Sequence, residues 1–395
     1  MILTPASGRF LALIVLAVPL LARAQAPITH QHATIHHESV AAATGSTTNL
    51  AGVADLPLWA WLDPQAPQPG FQPGTRGGTG LAEYTSPPID SPFAFNEALL
   101  SWNIAVPAAA GVRIDMRVAA ATGEWSPWLY MGRWGDPPNP TDAADAGDRA
   151  QSFPGGKVDV DYFVSPAPAR WTRLQYRLQA VRTAPGSKIG LRRVAITFSD
   201  TTATAVPQTP DGPRGKTQAA APPKPGRLGV PFRSQKTDDD RLSGRLCSPT
   251  SLSMVLAHRG VDLPVGTVAK TAYDQDFDIY GNWPRNIQAA YALGVPGYLT
   301  RFSDWQQVER LIAAGQPIIV SVFVEKGQLR NAPYEKTSGH LIVIEGFDEH
   351  GDVLVNDPSV ATAAEGQLVY RREDLTNVWL RSVEGTAYVL LPREP

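Results

Sequence analysis

The chemistry that this sequence could perform centres on one cysteine. Cys247 is the only cysteine among 395 residues, and it begins an amphipathic segment, 247–256. A lone thiol cannot form an internal disulfide, so it is either a reactive nucleophile or a small buried hydrophobe. At the start of a helix, the first backbone N–H groups stabilise a thiolate and lower the pKa of the cysteine. The residue type alone leaves both interpretations open, and its position favours reactivity.

A reactive thiolate needs a general base within reach, and three histidines of the C-terminal half are candidates. His340 begins an apolar run typical of a β-strand. His258 lies late on the helix that Cys247 begins, about 16 Å away along the helix axis. His350 stands in a predicted turn, where solvent reaches its side chain. We therefore predict His340 as the base.

A carboxylate that orients the base can be sought from strand register. Two apolar runs flank the turn at 348–351 and predict a β-hairpin. With a loop of even length, Asp357 lies on the same face as His340, whereas an odd loop or a bulge places it on the opposite face. Pro358 ends the second strand and keeps the Asp357 carboxylate at the rim of the sheet. The predicted set is a nucleophile, a base and an orienting group.

The order of these motifs resembles a known family. The residues that carry the resemblance are Gln235, Cys247-Ser248-Pro249-Thr250, Ser338-Gly339-His340 and Asn356-Asp357-Pro358. They are similar to the papain-like cysteine peptidases of the bacteriocin-processing, double-glycine leader-peptidase branch, over residues 228–393. The resemblance implies an α+β papain-like fold, with Cys247 as nucleophile, His340 as base and Asp357 as orienting group. It also implies that Gln235 donates its side-chain amide to the oxyanion, beside the backbone N–H of Cys247.

The segment between Gln235 and Cys247 is longer than this family tends to have. A spacing of twelve predicts a loop around Asp238-Asp239-Asp240-Arg241, beside the site. An acidic rim that favours basic substrate residues and a solvated loop both fit these residues, and the solvated loop is the simpler interpretation.

By the same resemblance, the expected reaction is acyl transfer through a thioester, which needs no metal or organic cofactor. Cysteine peptidases, amidases that act on peptidoglycan cross-bridges and acyl transferases share this machinery. Leader processing is disfavoured, because the sequence contains no transporter segment. An alternative from another class is a non-catalytic papain-like module with a glycan- or protein-binding N-terminal half.

An export signal of the Sec type is predicted at the start of the chain. Arg9 precedes an apolar run, 10–21, which ends in Ala22-Arg23-Ala24, the small-x-small pattern that signal peptidases cleave. The run is too short for a stable membrane anchor. A formal net charge of -2 without a dense Lys/Arg cluster makes nucleic acid an unexpected partner. We expect a secreted or periplasmic protein that has no membrane anchor after signal removal and acts on a peptide or peptidoglycan-type amide.

Composition divides the chain into segments. Residues 1–24 are the predicted signal peptide, and residues 25–52 are predicted as a flexible leader rich in Ala, Thr, Ser and His. A β-sandwich accessory domain is predicted over 53–200, a Pro/Ala-rich linker over 201–227 and the papain-like domain over 228–393. The leader contains four histidines that could bind a transition metal, His30, His32, His36 and His37. No carboxylate or cysteine accompanies them, so a solvated polar tail is the favoured interpretation.

The N-terminal half is predicted to be all-β. Apolar residues alternate with charged or polar ones in 112–118, 174–178 and 194–198, the period of a half-buried strand. A two-sheet, jelly-roll-like sandwich is the expected packing. Seven of the ten tryptophans fall in this half: Trp59, Trp61, Trp102, Trp125, Trp128, Trp134 and Trp171. Core packing is the favoured account of most of them, and stacking on sugar rings is the alternative.

The C-terminal half is predicted to be α+β, with helices first and a mostly antiparallel sheet after them. The predicted helices are Ser248–His258, Pro264–Tyr273, Pro284–Leu293 and Asp304–Ala314. The predicted strands are Pro317–Val324, Leu341–Phe347, Val353–Asn356 and Thr386–Leu391.

Overall fold

The computed structural model describes most of the chain outside its termini and longest connections. The described residues are 28–38, 48–49, 60–62, 71–74, 80–108, 110–136, 151–166, 171–182, 189–203, 225–239 and 241–393. The predicted signal peptide and most of the predicted linker lie outside them. Within these ranges, no helix is both long enough and apolar enough to cross a membrane.

The N-terminal half is rich in strands, as predicted. Its strands are β1 (Gln31–Glu38), β2 (Thr48–Asn49), β3 (Ala60–Leu62), β4 (Phe71–Gly74), β5 (Gly80–Thr85), β6 (Ile89–Phe95), β7 (Glu97–Ala105), β8 (Ala110–Ala119), β9 (Leu129–Asp136), β10 (Ser152–Phe153), β11 (Gly156–Asp159), β12 (Tyr162–Val164), β13 (Trp171–Arg182) and β14 (Ile189–Asp200). One antiparallel sheet has the order β10-β11-β12-β7-β14-β1-β2, with β3 also on β14. The other has the order β4-β5-β13-β8-β9, with β6 also on β13.

A single apolar core receives side chains from both of these sheets. Leu100 and Phe198 come from the first sheet, and Ile114 and Leu178 come from the second. The residues of this core alternate along their strands, as the period-2 pattern predicts. The residues between them are buried as well, Arg113 and Asp115 among them, so these strands are not half-buried as expected. The narrower assignment as a jelly-roll-like sandwich stays a prediction.

The prediction of a flexible leader is wrong for residues 31–38, which form β1. This strand pairs with β14 in unbroken antiparallel register, from Gln31 opposite Asp200 to Glu38 opposite Arg193. His36 is buried, and its ring packs edge-on against Tyr298 of the C-terminal half at a centroid distance of 4.7 Å. Burial, and then the charge of Arg193, lower the pKa of His36 to about 3. A neutral imidazole packs as an aromatic ring, so a histidine-rich segment need not be a solvated tail.

The C-terminal half combines helices with one sheet, and its helices do not all precede its strands as expected. Its helices are α1 (Cys247–His258), α2 (Val265–Ala272), α3 (Trp283–Ala292), α4 (Trp305–Ala313), α5 (Ala363–Gly366) and α6 (Arg372–Leu375), and a π-helix (Thr376–Arg381) follows α6. Its strands are β15 (Gly226–Arg227), β16 (Gly297–Arg301), β17 (Ile318–Val324), β18 (Thr337–Phe347), β19 (Val353–Asn356), β20 (Gln367–Tyr370) and β21 (Thr386–Leu390). They form one antiparallel sheet in the order β16-β21-β17-β18-β19-β20, with β15 also on β18.

The first four helices coincide with the predicted ones to within one residue at each end. They were predictable because their ends carry local sequence signals, such as capping residues. Asn282 and Asp304 cap α3 and α4 by accepting hydrogen bonds from the backbone N–H groups of Arg285 and Gln307. The sequence analysis missed β15, β16, β20 and the short helices, which have too few residues for a periodic pattern.

The hairpin between β18 and β19 departs from simple register twice. Its loop, 348–352, has an odd length of five residues. A bulge at Glu345 then shifts the register between the pairs Gly346–Leu354 and Ile344–Val355. The two departures cancel, because each one alone exchanges the faces of the sheet. Asp357, which follows β19, therefore lies on the same face as His340.

The N-terminal half covers the edge of the C-terminal sheet. Strand β16 pairs only with β21, so its other side carries unpaired backbone groups. Side chains of the N-terminal half bond these groups. Asn103 accepts from the N–H of Gly297 at 3.2 Å, and Ser101 accepts from the N–H of Leu299 at 2.9 Å. The hydroxyl of Thr197 donates to the carbonyl of Leu299 at 3.1 Å.

Candidate active site

Cys247 is the first residue of α1, and its side chain is half-buried. Three groups favour its thiolate: the ring of His340 and the backbone N–H groups of Leu341 and Ser248. Burial raises the pKa of the thiol, but the bond to His340, the positive charge of that ring and the two N–H groups outweigh burial. The pKa of Cys247 therefore lies below its ordinary value. The structure favours the reactive interpretation over an inert buried cysteine.

His340 lies on β18, opposite Val322 of the neighbouring strand, and is only 5% exposed. Its Nε2 lies 2.8 Å from Oδ1 of Asp357, which leaves Nδ1 for the thiol of Cys247. Burial lowers the pKa of this ring. The charge and hydrogen bond of Asp357, together with the contact to Cys247, outweigh burial and raise the pKa to about 10. Asp357 and Cys247 thus favour the charged form of the ring.

Asp357 is fully buried, and four donors surround its carboxylate. Oδ1 accepts from His340 and, at 3.0 Å, from the backbone N–H of Ser359. Oδ2 accepts from the hydroxyls of Tyr370 at 2.8 Å and Tyr334 at 3.1 Å. Burial alone would raise the pKa of the carboxyl, but the charge of His340 and the bonds from His340 and Ser359 lower it to about 2. The group is therefore ionised and fixed in orientation.

The two tyrosines were not found by sequence reasoning. Tyr370 ends β20, and Tyr334 lies in the connection between β17 and β18, with its ring edge-on to His340 at a centroid distance of 5.1 Å. They stand 13 and 23 residues from Asp357 in sequence. No periodic or motif signal marks them, because only the folded sheet brings them to the carboxylate.

Gln235 is brought to the same region by its backbone. Its N–H donates to the carbonyl of Pro358 at 2.9 Å, directly after Asp357. The side chain is 9% exposed, and its Oε1 has no hydrogen-bond partner within the described part of the chain. Gln235 is thus fixed beside the carboxylate end of the site.

The segment that leads to Gln235 is tied to the sheet by Asn356 and by Glu345, which no motif had indicated. The amide Nδ2 of Asn356 donates to the carbonyl of Val230 at 2.9 Å. The carboxylate of Glu345, at the bulge, accepts from the N–H of Val230 at 2.9 Å. Because Asn356 adjoins Asp357, one piece of chain positions both Gln235 and Asp357.

The acidic loop before Cys247 is exposed to solvent. Asp239 forms an ion pair with Arg241 at 2.8 Å, and Asp238 is exposed. Asp240 lies outside the described residues. In the described ranges, no group of three or more His, Cys, Asp or Glu side chains could hold a metal ion.

Two family models match the chain. Residues 227–386 match the model described as Peptidase_C39 like family, and residues 65–199 match the model described as Peptidase C39 N-terminal domain. The C-terminal half is therefore similar to C39-like peptidases, and the strand-rich half before it is similar to a C39 N-terminal domain. This agrees with the resemblance that the motifs indicated.

Three solved structures are similar to part of this chain, and each of them matches 42% of it. The first is a double glycine motif protease from an AMS/PCAT transporter in complex with the leader peptide, with 20% identity, 94% of that chain covered and a TM-score of 0.29. The second is a putative C39-like peptidase from Bacillus anthracis, with 18% identity, 97% coverage and a TM-score of 0.32. The third is the peptidase domain of Streptococcus ComA, a bi-functional ABC transporter involved in a quorum-sensing pathway, with 17% identity, 99% coverage and a TM-score of 0.30. No curated protein matches the sequence.

Proposed function

We propose that this protein is a thiol hydrolase that cleaves peptide or amide bonds through Cys247, His340 and Asp357. The observation that carries the proposal is the short contact of 2.8 Å between His340 Nε2 and Asp357 Oδ1, on a ring that also lowers the pKa of the Cys247 thiol. A nucleophile, a base and an orienting carboxylate in hydrogen-bond contact are what acyl transfer requires. The match of residues 227–386 to a peptidase family supports the same reaction class.

In the first half of the proposed reaction, the Cys247 thiolate attacks the carbonyl carbon of the substrate. A C–S bond forms, and the carbonyl π electrons move to the oxygen. The backbone N–H of Cys247 and the side-chain amide of Gln235 stabilise this oxyanion. When the carbonyl re-forms, the C–N bond breaks, and the leaving amine takes a proton from the imidazolium of His340.

In the second half, the neutral His340 ring removes a proton from water while the water oxygen attacks the thioester carbon. Collapse of the second tetrahedral intermediate breaks the C–S bond, releases the acid and restores the thiolate beside the imidazolium. Asp357 keeps the ring oriented and favours its charged form throughout. An amine in place of water would give acyl transfer by the same steps.

The predicted export signal supports a secreted or periplasmic location for this activity. A peptide or a peptidoglycan-type amide is the proposed substrate in that compartment. The proposed layout is a signal peptide over 1–24, a jelly-roll-like β-sandwich over 53–200, a linker over 201–227 and a papain-like domain over 228–393.

The tryptophans offer no specific support for the alternative of a glycan-binding N-terminal half. Trp102 is buried in the core, and Trp134 and Trp171 pack against it. Trp125 and Trp128 face the guanidinium of Arg117 at 4.7 and 4.5 Å from their ring centroids. The five tryptophans of this half whose side chains are described thus have partners within the protein.

The proposal is tested by the pH dependence of iodoacetamide alkylation of the single thiol, compared with His340→Ala. We expect fast alkylation that persists well below pH 7, and a profile in the variant that moves to higher pH. A thiol that titrates near its ordinary value of about 8.5 in both proteins would reject the Cys247–His340 pair. Cys247→Ser serves as the unlabelled control.

A further inference from the structure

The connection between α2 and α3, residues 273–282, lies against the residues that lead into the nucleophile. Arg245, two residues before Cys247, forms an ion pair with Asp278 at 3.1 Å. The Arg245 guanidinium also lies over the ring of Tyr280, 5.4 Å from its centroid. The 273–282 loop is therefore in contact with the segment that ends at the nucleophile.

The strand-rich domain holds this loop through a two-pronged ion pair. Arg133 on β9 donates from Nε to Oδ2 of Asp276 at 3.0 Å and from Nη2 to Oδ1 at 2.5 Å. The hydroxyl of Tyr130 also donates to Oδ2 of Asp276. The side chains of Arg133 and Asp276 are only 16% and 8% exposed. Loss of one partner from such a desolvated pair leaves the other charge uncompensated.

A second contact holds the end of the loop where it enters α3. Asp161, in the turn between β11 and β12, accepts from the N–H of Trp283 at 2.8 Å. The adjacent Tyr162 stacks on the ring of Trp283, with centroids 5.8 Å apart and an interplanar angle of 17°. In addition, Arg285 of α3 donates to the backbone carbonyl of Arg133 at 2.9 Å. The 273–282 loop is thus held by the strand-rich half at Asp276 and at the start of α3.

Internal bonds make the loop respond as one body. Asn282 donates from Nδ2 to Oδ2 of Asp274 at 2.8 Å, and Oδ1 of Asp274 accepts from the N–H of Asp276 at 2.9 Å. Asp274 and Ile279 form an antiparallel bridge across the loop. A contact that fixes Asp276 therefore also fixes the side of the loop that carries Asp278 and meets Arg245.

We propose that the strand-rich domain sets the shape of the substrate cleft beside Cys247 by holding the 273–282 loop. The domain is then a specificity-determining part of the enzyme, and Arg133 and Asp161 are positioning residues that touch no reacting atom. The inference rests on the proposed peptidase function and deepens it. It concerns the part of a peptide substrate that extends from the scissile bond along the cleft.

The test compares two thiol reagents on the full chain, small iodoacetamide and iodoacetyl-tetraalanine amide, which carries a short peptide. In Arg133→Glu, we expect the peptide reagent to lose about tenfold in rate relative to iodoacetamide, because a misplaced wall no longer aligns the peptide. Lys157→Glu is the matched control. It reverses the same charge in the same domain, in an exposed ion pair with Asp159 at 3.0 Å. The double variant Arg133→Glu with Asp276→Arg should recover most of the wild-type rate with the peptide reagent relative to iodoacetamide.

The rate ratio is the alkylation rate with the peptide reagent divided by the rate with iodoacetamide. If Arg133→Glu leaves this ratio unchanged, by slowing both reagents equally or neither, or increases it, the inference is overturned. If Arg133→Glu does not fold, Asp161→Ala provides the same comparison, with rescue by Asp161→Asn, which keeps an acceptor for the Trp283 N–H. The pH profile of the wild-type thiol separates the two proposals. An ordinary profile rejects the nucleophile, whereas a low-pH profile with an unchanged ratio rejects only the role of the loop.

Discussion

Glu345 and Val230 are joined by a hydrogen bond of 2.9 Å, in which the N–H of Val230 donates to a fully buried carboxylate. Arg227 pairs with the other oxygen of that carboxylate, and the N–H of Leu228 donates to the backbone carbonyl of Glu345 at 2.8 Å. A bulge in β18 thus anchors the start of the segment that ends at Gln235.

Glu345→Ala should destabilise the protein by about 2–4 kcal/mol, because it removes the two contacts that the buried carboxylate accepts, from Val230 and Arg227, and leaves Arg227 without its ion-pair partner. Urea unfolding measures the loss. Glu345→Gln keeps one acceptor oxygen and should cost less. Glu349→Ala, at an exposed neighbouring carboxylate, is expected to change the unfolding free energy by less than about 0.5 kcal/mol. Equal effects at both sites would contradict the anchoring role.

Asp357→Asn should slow alkylation of Cys247 in mildly acidic solution. The substitution removes the negative charge that raises the pKa of His340, so the imidazolium that stabilises the thiolate is lost at a lower pH. The pKa of Cys247 then rises, and each unit of rise lowers the thiolate fraction about tenfold below that pKa. Alkylation rates at pH 5 to 9 measure the shift.

The control for Asp357→Asn is Asp238→Asn, which removes a charge from an exposed position before the site. Its profile should match that of the wild type. A profile for Asp357→Asn that also matches the wild type would show that the carboxylate does not support the ion pair.

Tyr370→Phe should lower the unfolding free energy by about 1.5–3 kcal/mol, the usual worth of a buried hydrogen bond to a charged group. The Asp357 carboxylate stays buried in this variant but loses one of its four donors. Tyr273→Phe removes a bond of the same kind, to Asp278 at 2.8 Å, in an exposed setting, and should change little. If urea unfolding gives the same small loss of free energy for Tyr370→Phe and Tyr273→Phe, the hydroxyl of Tyr370 does not stabilise the folded protein.

His36 should make the folded state sensitive to acid. Its pKa is lowered from 6.5 to about 3 in the folded protein, so the unfolded chain binds the proton more readily once the pH falls below 6.5. Between pH 8 and pH 5 the folded state should lose about 2 kcal/mol through this group. His36→Phe keeps a ring against Tyr298 and should remove that part of the pH dependence. An identical slope of unfolding free energy with pH in wild type and variant would refute this.

The hairpin shows where sequence reasoning stops. The types and order of Cys247, His340 and Asp357 were readable because each is tied to a local signal, a helix start or a strand end. Their contact depended on a five-residue loop and on a bulge at Glu345 that compensates for it. The sequence pattern does not predict this bulge, because the contacts at Glu345 are tertiary. Its carboxylate bonds Val230 and Arg227, which are far from it in sequence.

Strand β1 was missed for a related reason. Its residues, with His32, His36 and Thr34 among them, look polar in one dimension. In the folded protein, Thr34 bonds the hydroxyls of Thr197 and Thr300, both at 2.8 Å. Polar side chains that form hydrogen bonds with each other can be buried, but the sequence does not show which of them pair, so it does not indicate their burial.

The covered edge of β16 has a consequence for the order of assembly during synthesis. The acceptors for the N–H groups of Gly297 and Leu299 belong to a domain that is translated earlier, so they are in place when this strand emerges. The N-terminal domain can thus act as a template on which the last sheet is completed. A peptidase domain that met its partner late would present an unpaired strand to its neighbours in the meantime.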